Sequence, residues 1–182
     1  MMKSILVTGG CGFIGSHTCL NLLENNFNIV VLDSNINSNS ISLKRVLEIG
    51  ALNGHDFSQK LSFFKGDIRD FNLLDSIFFE SKKNKSPVEA VVHFAGLKAV
   101  EESFKDPLLY WDNNLNGSLT LFRAMQKYDC KNLVFSSSAT LYGSTSLKLI
   151  SEKVALKPTN VYGKTKLAVE ELLRDIFLSS GK

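Results

Sequence analysis

A chain of 182 residues that is 44% hydrophobic and 21% charged has the make-up of one ordinary folded domain with a sizeable core, which excludes disorder as its default state. Its net charge of +3 and pI near 8.7 are mild, and the one short lysine run, Lys82, Lys83 and Lys85, reads as a solvated helix end and not as a nucleic-acid patch. Cys11, Cys19 and Cys130 lack metal-ligand or paired spacing, the start has no cleavable leader, and no apolar stretch nears the roughly 18–20 residues that span a membrane. The expectation is a soluble, metal-free protein of the reducing cytoplasm.

The first predicted strand, Ser4 to Thr8, runs into Thr8-Gly9-Gly10-Cys11-Gly12-Phe13-Ile14-Gly15, and a helical pattern then continues from Ile14 to Asn25. Gly9, Gly12 and Gly15 stand three apart. Glycines at that spacing permit a tight turn, let the backbone approach a pyrophosphate and allow the helix to pack on the strand, while free amides at the helix start face the anion. The second strand, Asn28 to Leu32, ends at Asp33. A carboxylate there accepts hydrogen bonds from ribose hydroxyls and repels a 2′-phosphate, so NAD is expected over NADP. Ser34 to Ser42, SNINSNSIS, is a low-complexity stretch whose Asn and Ser side chains compete with the backbone for hydrogen bonds, and it is expected to be a loop.

Further along, helical patterns at Ile41 to Ala51, Phe71 to Lys82 and Pro107 to Tyr128 alternate with strands at Leu61 to Phe64, Ala90 to Phe94 and Asn132 to Ser136. The strands are apolar on consecutive residues, which predicts burial on both faces under covering helices. Together these elements predict an α/β fold, a doubly wound parallel sheet of the Rossmann type with right-handed crossovers. No internal repeat or composition shift marks a boundary, so residues 1–182 read as one dinucleotide-binding domain. A last helix is expected from Thr159 or Asn160 to Leu178.

Tyr162-Gly163-Lys164-Thr165-Lys166 places a Tyr and a Lys on one face of that last helix. A phenol of pKa about 10 is a poor base at neutral pH, but a neighbouring ammonium and a positive nicotinamide favour its phenolate. Ser136-Ser137-Ser138-Ala139-Thr140 follows the fifth strand, where open parallel sheets place their ligands, and a serine there can hydrogen-bond a reacting oxygen. Each feature alone is common. The order glycines, Ser, Tyr, Lys is that of the short-chain dehydrogenase class.

Within that class, His93-Phe94-Ala95-Gly96-Leu97-Lys98-Ala99-Val100 with Glu102-Ser103, Asp112-Asn113-Asn114-Leu115-Asn116-Gly117, and Ser136 through Gly143 resemble the UDP-glucose 4-epimerases, and the match runs from Ile5 to Leu178. The resemblance implies Tyr162 as base, Lys166 as its electrostatic partner and ribose ligand, and Ser138 as the hydrogen-bonding serine. For the NAD site it implies Gly9, Gly12, Phe13, Ile14, Gly15, Asp33, Asp67, Ile68, Phe94, Ala95, Lys98, Asn113, Ser136, Tyr162 and Lys166. For the substrate it implies Lys98, Ser138 and Tyr162, with UDP-glucose and UDP-galactose interchanged through a 4-keto sugar in galactose metabolism. A sugar 4,6-dehydratase is the nearby alternative, yet its fifth-strand motif resembles Thr-Asp-Glu and this chain has Ser138, Ala139 and Thr140. A non-catalytic NAD-binding module is the alternative from another class.

Two residues depart from the family pattern: Glu101 stands where Gly is usual, and Val161 where Pro is common. His93 is expected to be a buried, satisfied histidine, His17 structural, and Trp111 with the phenylalanines core. The family also continues past this length with further strands and a smaller uridine-binding domain, so a truncated, poorly stable chain is expected. The resemblance makes a homodimer possible through the helices at Pro107 to Tyr128 and Asn160 to Leu178.

Overall fold

In the computed structural model, residues 3–146 and 148–179 are described. Five parallel strands, β1 (Ser4–Thr8), β2 (Asn28–Asp33), β3 (Leu61–Lys65), β4 (Val88–His93) and β5 (Asn132–Phe135), lie in the order β3-β2-β1-β4-β5. The helices that cross between them are α1 (Phe13–Glu24), α2 (Ile41–Leu52), α3 (Phe71–Lys83) and, before β5, α4 (Val100–Lys105), α5 (Pro107–Tyr110) and α6 (Gly117–Lys127). A final helix, α7, spans Val161–Ser179. Reversal of strand order at β1 is the mark of the doubly wound fold, so the Rossmann-type expectation holds.

The chain divides into two compact parts, one of residues 1–95 and 119–136, the other of 96–118 and 137–182. In the first, Ile5, Val7, Ile29 and Val31 join Cys19, Leu23, Leu43 and Val46 of α1 and α2 in one apolar cluster. These strand residues are alternate ones, as the two-residue repeat of a strand requires. Leu6 and Leu32, which point to the opposite face, are also buried. Each buried aliphatic side chain contributes about 1.5–3 kcal/mol to holding the sheet between its helices.

Burial on both faces holds for β1 and β2, and β4 packs both of its faces too, with Val91 and His93 buried on one and Ala90 and Val92 against the core cluster on the other. β3 and β5 form the sheet edges and leave Phe63 and Val134 exposed, because an apolar run reports β propensity as well as burial. Strand β4 starts two residues before the expected Ala90, and Phe94 lies beyond its end. Of the predicted loop, residues 34–40 are irregular, whereas Ile41 and Ser42 open α2.

In the second part, the long helical pattern from Pro107 is not one helix. It begins with α5, passes through a π-helical segment at Trp111–Asn116, and resumes as α6. Asp106 caps α5 by accepting from the Leu109 amide at 3.0 Å, and Pro107 takes the first helical position, where a missing N–H costs nothing. The π segment inserts one extra residue into the helical register and so re-aims the side chains that follow. The short helix α4 and a 3₁₀ turn at Ala139–Tyr142 were not among the expected elements. No helix among the described residues is long and apolar enough to cross a membrane.

Candidate active site

The first part carries the glycine loop. Gly9 has φ +71, and a Cβ there would stand 2.7 Å from the Ala95 amide nitrogen. A Cβ on Gly15 would stand 2.3 Å from the Gly9 carbonyl oxygen, so α1 packs backbone to backbone on the turn. Gly12 is the N-cap of α1, and no side chain caps the helix. Its first amides, preceding the exposed Phe13 and Ile14 side chains, are left to face an anion. Gly15→Ala is therefore expected to cost about 1–3 kcal/mol of stability, because the clash is with backbone that cannot rotate away. Urea unfolding measures it, and an unchanged midpoint would count against the tight packing.

Asp33 is buried at the end of β2. Its Oδ2 accepts from the Cys11 amide at 2.9 Å, while Oδ1 accepts from the Asn35 amide at 2.9 Å and the Ser38 hydroxyl at 2.7 Å. A carboxylate has about four acceptor positions, so the residue that ties the glycine loop to its own loop keeps capacity for a ribose hydroxyl. Ser38 and the Cys11 amide carry no sequence signal for this role. Asp67 is turned to its own neighbour: Arg69 bonds its carboxylate through the backbone amide and the guanidinium, which holds the Asp67 pKa below the usual carboxylate value. Ile68 beside it is buried.

At the head of β4, Thr8 holds several groups at once. Its hydroxyl lies 2.7 Å from His93 Nδ1, its carbonyl accepts from the Phe94 amide at 3.0 Å, and its Oγ1 receives the Ala95 amide at 3.4 Å. The buried, satisfied role expected of His93 is observed, with the ring set between Phe122 and Phe135. The Ser136 amide donates to the His93 carbonyl at 3.1 Å, continuing the pairing of β4 with β5. His17 Nδ1 meets the Phe13 carbonyl within α1. Burial raises the Cys11 and Cys19 thiols to about 12 and Cys130 to about 11, which leaves all three as unreactive thiols. The phenylalanines are only partly core, since Phe13, Phe79, Phe104 and Phe177 are exposed.

The second part carries the Tyr and Lys. Asn160 accepts from the Gly163 amide at 2.7 Å and caps α7, which puts Tyr162 and Lys166 one turn apart as their spacing predicts. Lys166 is 5% exposed, and its Nζ lies 6.0 Å from the centre of the Tyr162 ring. Burial lowers the Lys166 ammonium from its ordinary value to about 8. Thr165, fully buried between them, donates to the Tyr162 carbonyl at 2.7 Å. Ser138 accepts from the Thr140 amide and hydroxyl at 3.2 and 2.9 Å and caps the 3₁₀ turn. The neighbouring Ser137 hydroxyl oxygen is buried with no hydrogen-bond partner among the described residues.

Asn114 was quoted in a motif but given no role by the sequence. It is buried in the π segment; its Oδ1 accepts from the Leu97 amide at 2.8 Å, and its Nδ2 donates to the Leu97 carbonyl and Thr165 Oγ1 at 3.0 and 3.1 Å. One amide thus fastens the turn before Lys98 to the middle of α7. Asn113, the residue the sequence favoured, is half-buried beside it, and Lys98 is exposed. Glu101, the departure from the family pattern, is exposed and pairs with Lys105 at 2.9 Å. Among the described residues no group of three or more His, Cys, Asp or Glu is placed to hold a metal ion.

Residues 6–181 match the model of the GDP-mannose 4,6 dehydratase family. The chain is 49% identical over 182 residues to UDP-glucose 4-epimerase 2 of Arabidopsis thaliana and 50% identical over 173 residues to UDP-glucose 4-epimerase of Bacillus subtilis. Those alignments take in 100% and 95% of this chain but 49% and 48% of the relatives, so the chain spans about half the length of the curated relatives it matches. Among solved structures, UDP-glucose 4-epimerase from Bifidobacterium longum in complex with NAD+ and UDP superposes with a TM-score of 0.86 at 38% identity, over 97% of this chain and 50% of that one. The enzyme from Stenotrophomonas maltophila, with bound NAD and formylated UDP-arabinopyranose, gives 0.86 at 39%, over 100% and 50%. The chain belongs to the family described by the GDP-mannose 4,6 dehydratase model, and its likeness within that family is to the UDP-glucose 4-epimerases.

Proposed function

We propose that this chain carries the NAD-binding and proton-transfer residues of a UDP-hexose 4-epimerase that interconverts UDP-glucose and UDP-galactose. The observation that carries the reading is the pairing of Tyr162 with a buried Lys166 one turn away on α7.

The residues present fit a dinucleotide. The glycine loop is closed to any Cβ at Gly9 and Gly15, α1 has no side-chain cap, and Asp33 retains an acceptor position. Gly9, Gly12, Phe13, Ile14 and Gly15 would hold the pyrophosphate, and Asp33 the adenosine ribose. Asp67, Ile68, Phe94, Ala95, Lys98, Asn113, Ser136 and Lys166 complete the proposed set. Bound NAD supplies an acceptor and donor for the hydrogen on sugar carbon 4. Tyr162 takes the proton of the 4-hydroxyl and later returns it, with Ser138 hydrogen-bonding the same oxygen. Lys166 favours the phenolate by its charge, which burial keeps undiluted by water. The resulting 4-keto sugar must present its other face before the hydrogen and the proton are returned, and we assign Lys98 to the substrate side.

The name of the matching family model raises dehydration as a second reading. Expelling a 6-hydroxyl calls for additional acid and base groups, whereas Ser138, Ala139 and Thr140 offer no carboxylate after β5. Epimerisation is therefore the better reading. Incubation of the chain with UDP-galactose and NAD, followed by chromatographic separation of the UDP-hexoses, is expected to yield UDP-glucose. If none forms, the chain fused to the remaining half of the Bacillus subtilis enzyme is assayed in the same way; silence there too would sink the proposal.

A further inference from the structure

Lys98 is exposed, yet the residues on both sides of it are pinned. Leu97 is held at its N–H and its C=O by Asn114. Ala99 is the N-cap of α4, and its methyl group offers no cap. Glu102 occupies the third helical position, where the acidic residue of a capping box reaches back to the N-cap amide.

Here that carboxylate is taken by a phenol instead. Tyr110, at the end of α5, is fully buried and donates its hydroxyl to Glu102 Oε2 at 2.6 Å. The Ala99 carbonyl accepts the first bond of α4, from the Ser103 amide at 3.0 Å. The Tyr110 hydroxyl thus anchors the first turn of α4, the helix that starts beside Lys98. Burial and the Glu102 carboxylate push the Tyr110 phenol well above its ordinary value, so it stays protonated and donating throughout the working pH range.

We propose that Tyr110 and Glu102 are positioning residues that fix the Leu97–Ala99 turn and so hold the Lys98 ammonium for the cofactor and nucleotide sugar. This inference rests on the NAD-dependent reading above. A long flexible side chain gains affinity when its backbone is held beforehand, because less freedom is lost on binding.

The test is a double-mutant cycle on NAD affinity, measured by isothermal titration of the full chain. Tyr110→Phe and Glu102→Gln are each expected to weaken NAD binding by about threefold to tenfold when Lys98 is present. In a Lys98→Ala background the same changes are expected to alter affinity by less than about twofold, since groups that act through one residue are not additive. Equal losses in both backgrounds would overturn the proposal. If Tyr110→Phe does not fold, Glu102→Gln decides alone, because Glu102 is exposed. An unsubstituted chain that binds no NAD would sink the functional reading and this proposal with it, an outcome distinct from binding with additive losses.

Discussion

Tyr162→Phe is expected to lower UDP-hexose interconversion by about 10²–10⁴-fold, the range for loss of a positioned acid-base group, while leaving the fold intact. Phenylalanine keeps the ring that lies 6.0 Å from Lys166 Nζ and removes only the hydroxyl. The cap of α7 is made by Asn160 and the Gly163 amide, and the Tyr162 carbonyl is held by Thr165, so no contact that shapes the helix uses the phenol. The melting temperature should therefore change little. The measurement is initial rate at saturating UDP-galactose, with NAD binding and thermal unfolding beside it. A rate within tenfold of the unsubstituted protein would remove Tyr162 as the base; a collapse of the fold would show that the phenol is structural.

Much of this site was legible because backbone constraints leave narrow choices. Gly9 and Gly15 are glycine because any Cβ would meet backbone at 2.7 and 2.3 Å, and that requirement shows directly in the residue type. Tyr162 and Lys166 stood out by their order after the glycines and serines, the helical spacing alone being common. What stayed hidden depends on events between segments. The π-helical register at Trp111–Asn116 turns Asn114 inward to Leu97 and Thr165, and an apolar period of 3.6 cannot reveal one inserted residue. The phenol of Tyr110 takes the Glu102 carboxylate eight residues upstream, beyond the reach of a local capping rule. The exposed faces of β3 and β5 were misjudged because strand order decides which runs lie at an edge, and the order is a tertiary property.

Lys166→Met tests the cost of keeping a charge where the proposed chemistry needs it. The ammonium is 5% exposed and titrates near 8 against an ordinary 10.5, so the fold disfavours the charged form. The unfolded chain then binds more protons than the folded one between about pH 8 and 10.5, and stability rises with pH across that window. Below pH 8 the full penalty is present. Methionine matches the length and apolar stem of lysine without the charge, and its use is expected to stabilise the fold at pH 7 by about 1–3 kcal/mol, given 1.36 kcal/mol for each pKa unit and partial relaxation around the ammonium. That gain should appear as a rise in melting temperature of roughly 2–10 °C for a domain of this size, and it should fade as the pH is raised from 8 toward 10.5. Turnover should fall on the order of 10²-fold or more, as when one preorganised charge-stabilising group is removed. A variant that is both less stable and inactive, with no change in the stability difference across that pH range, would mean that Lys166 is held by favourable contacts and that its burial is not a sacrifice made for the phenolate of Tyr162.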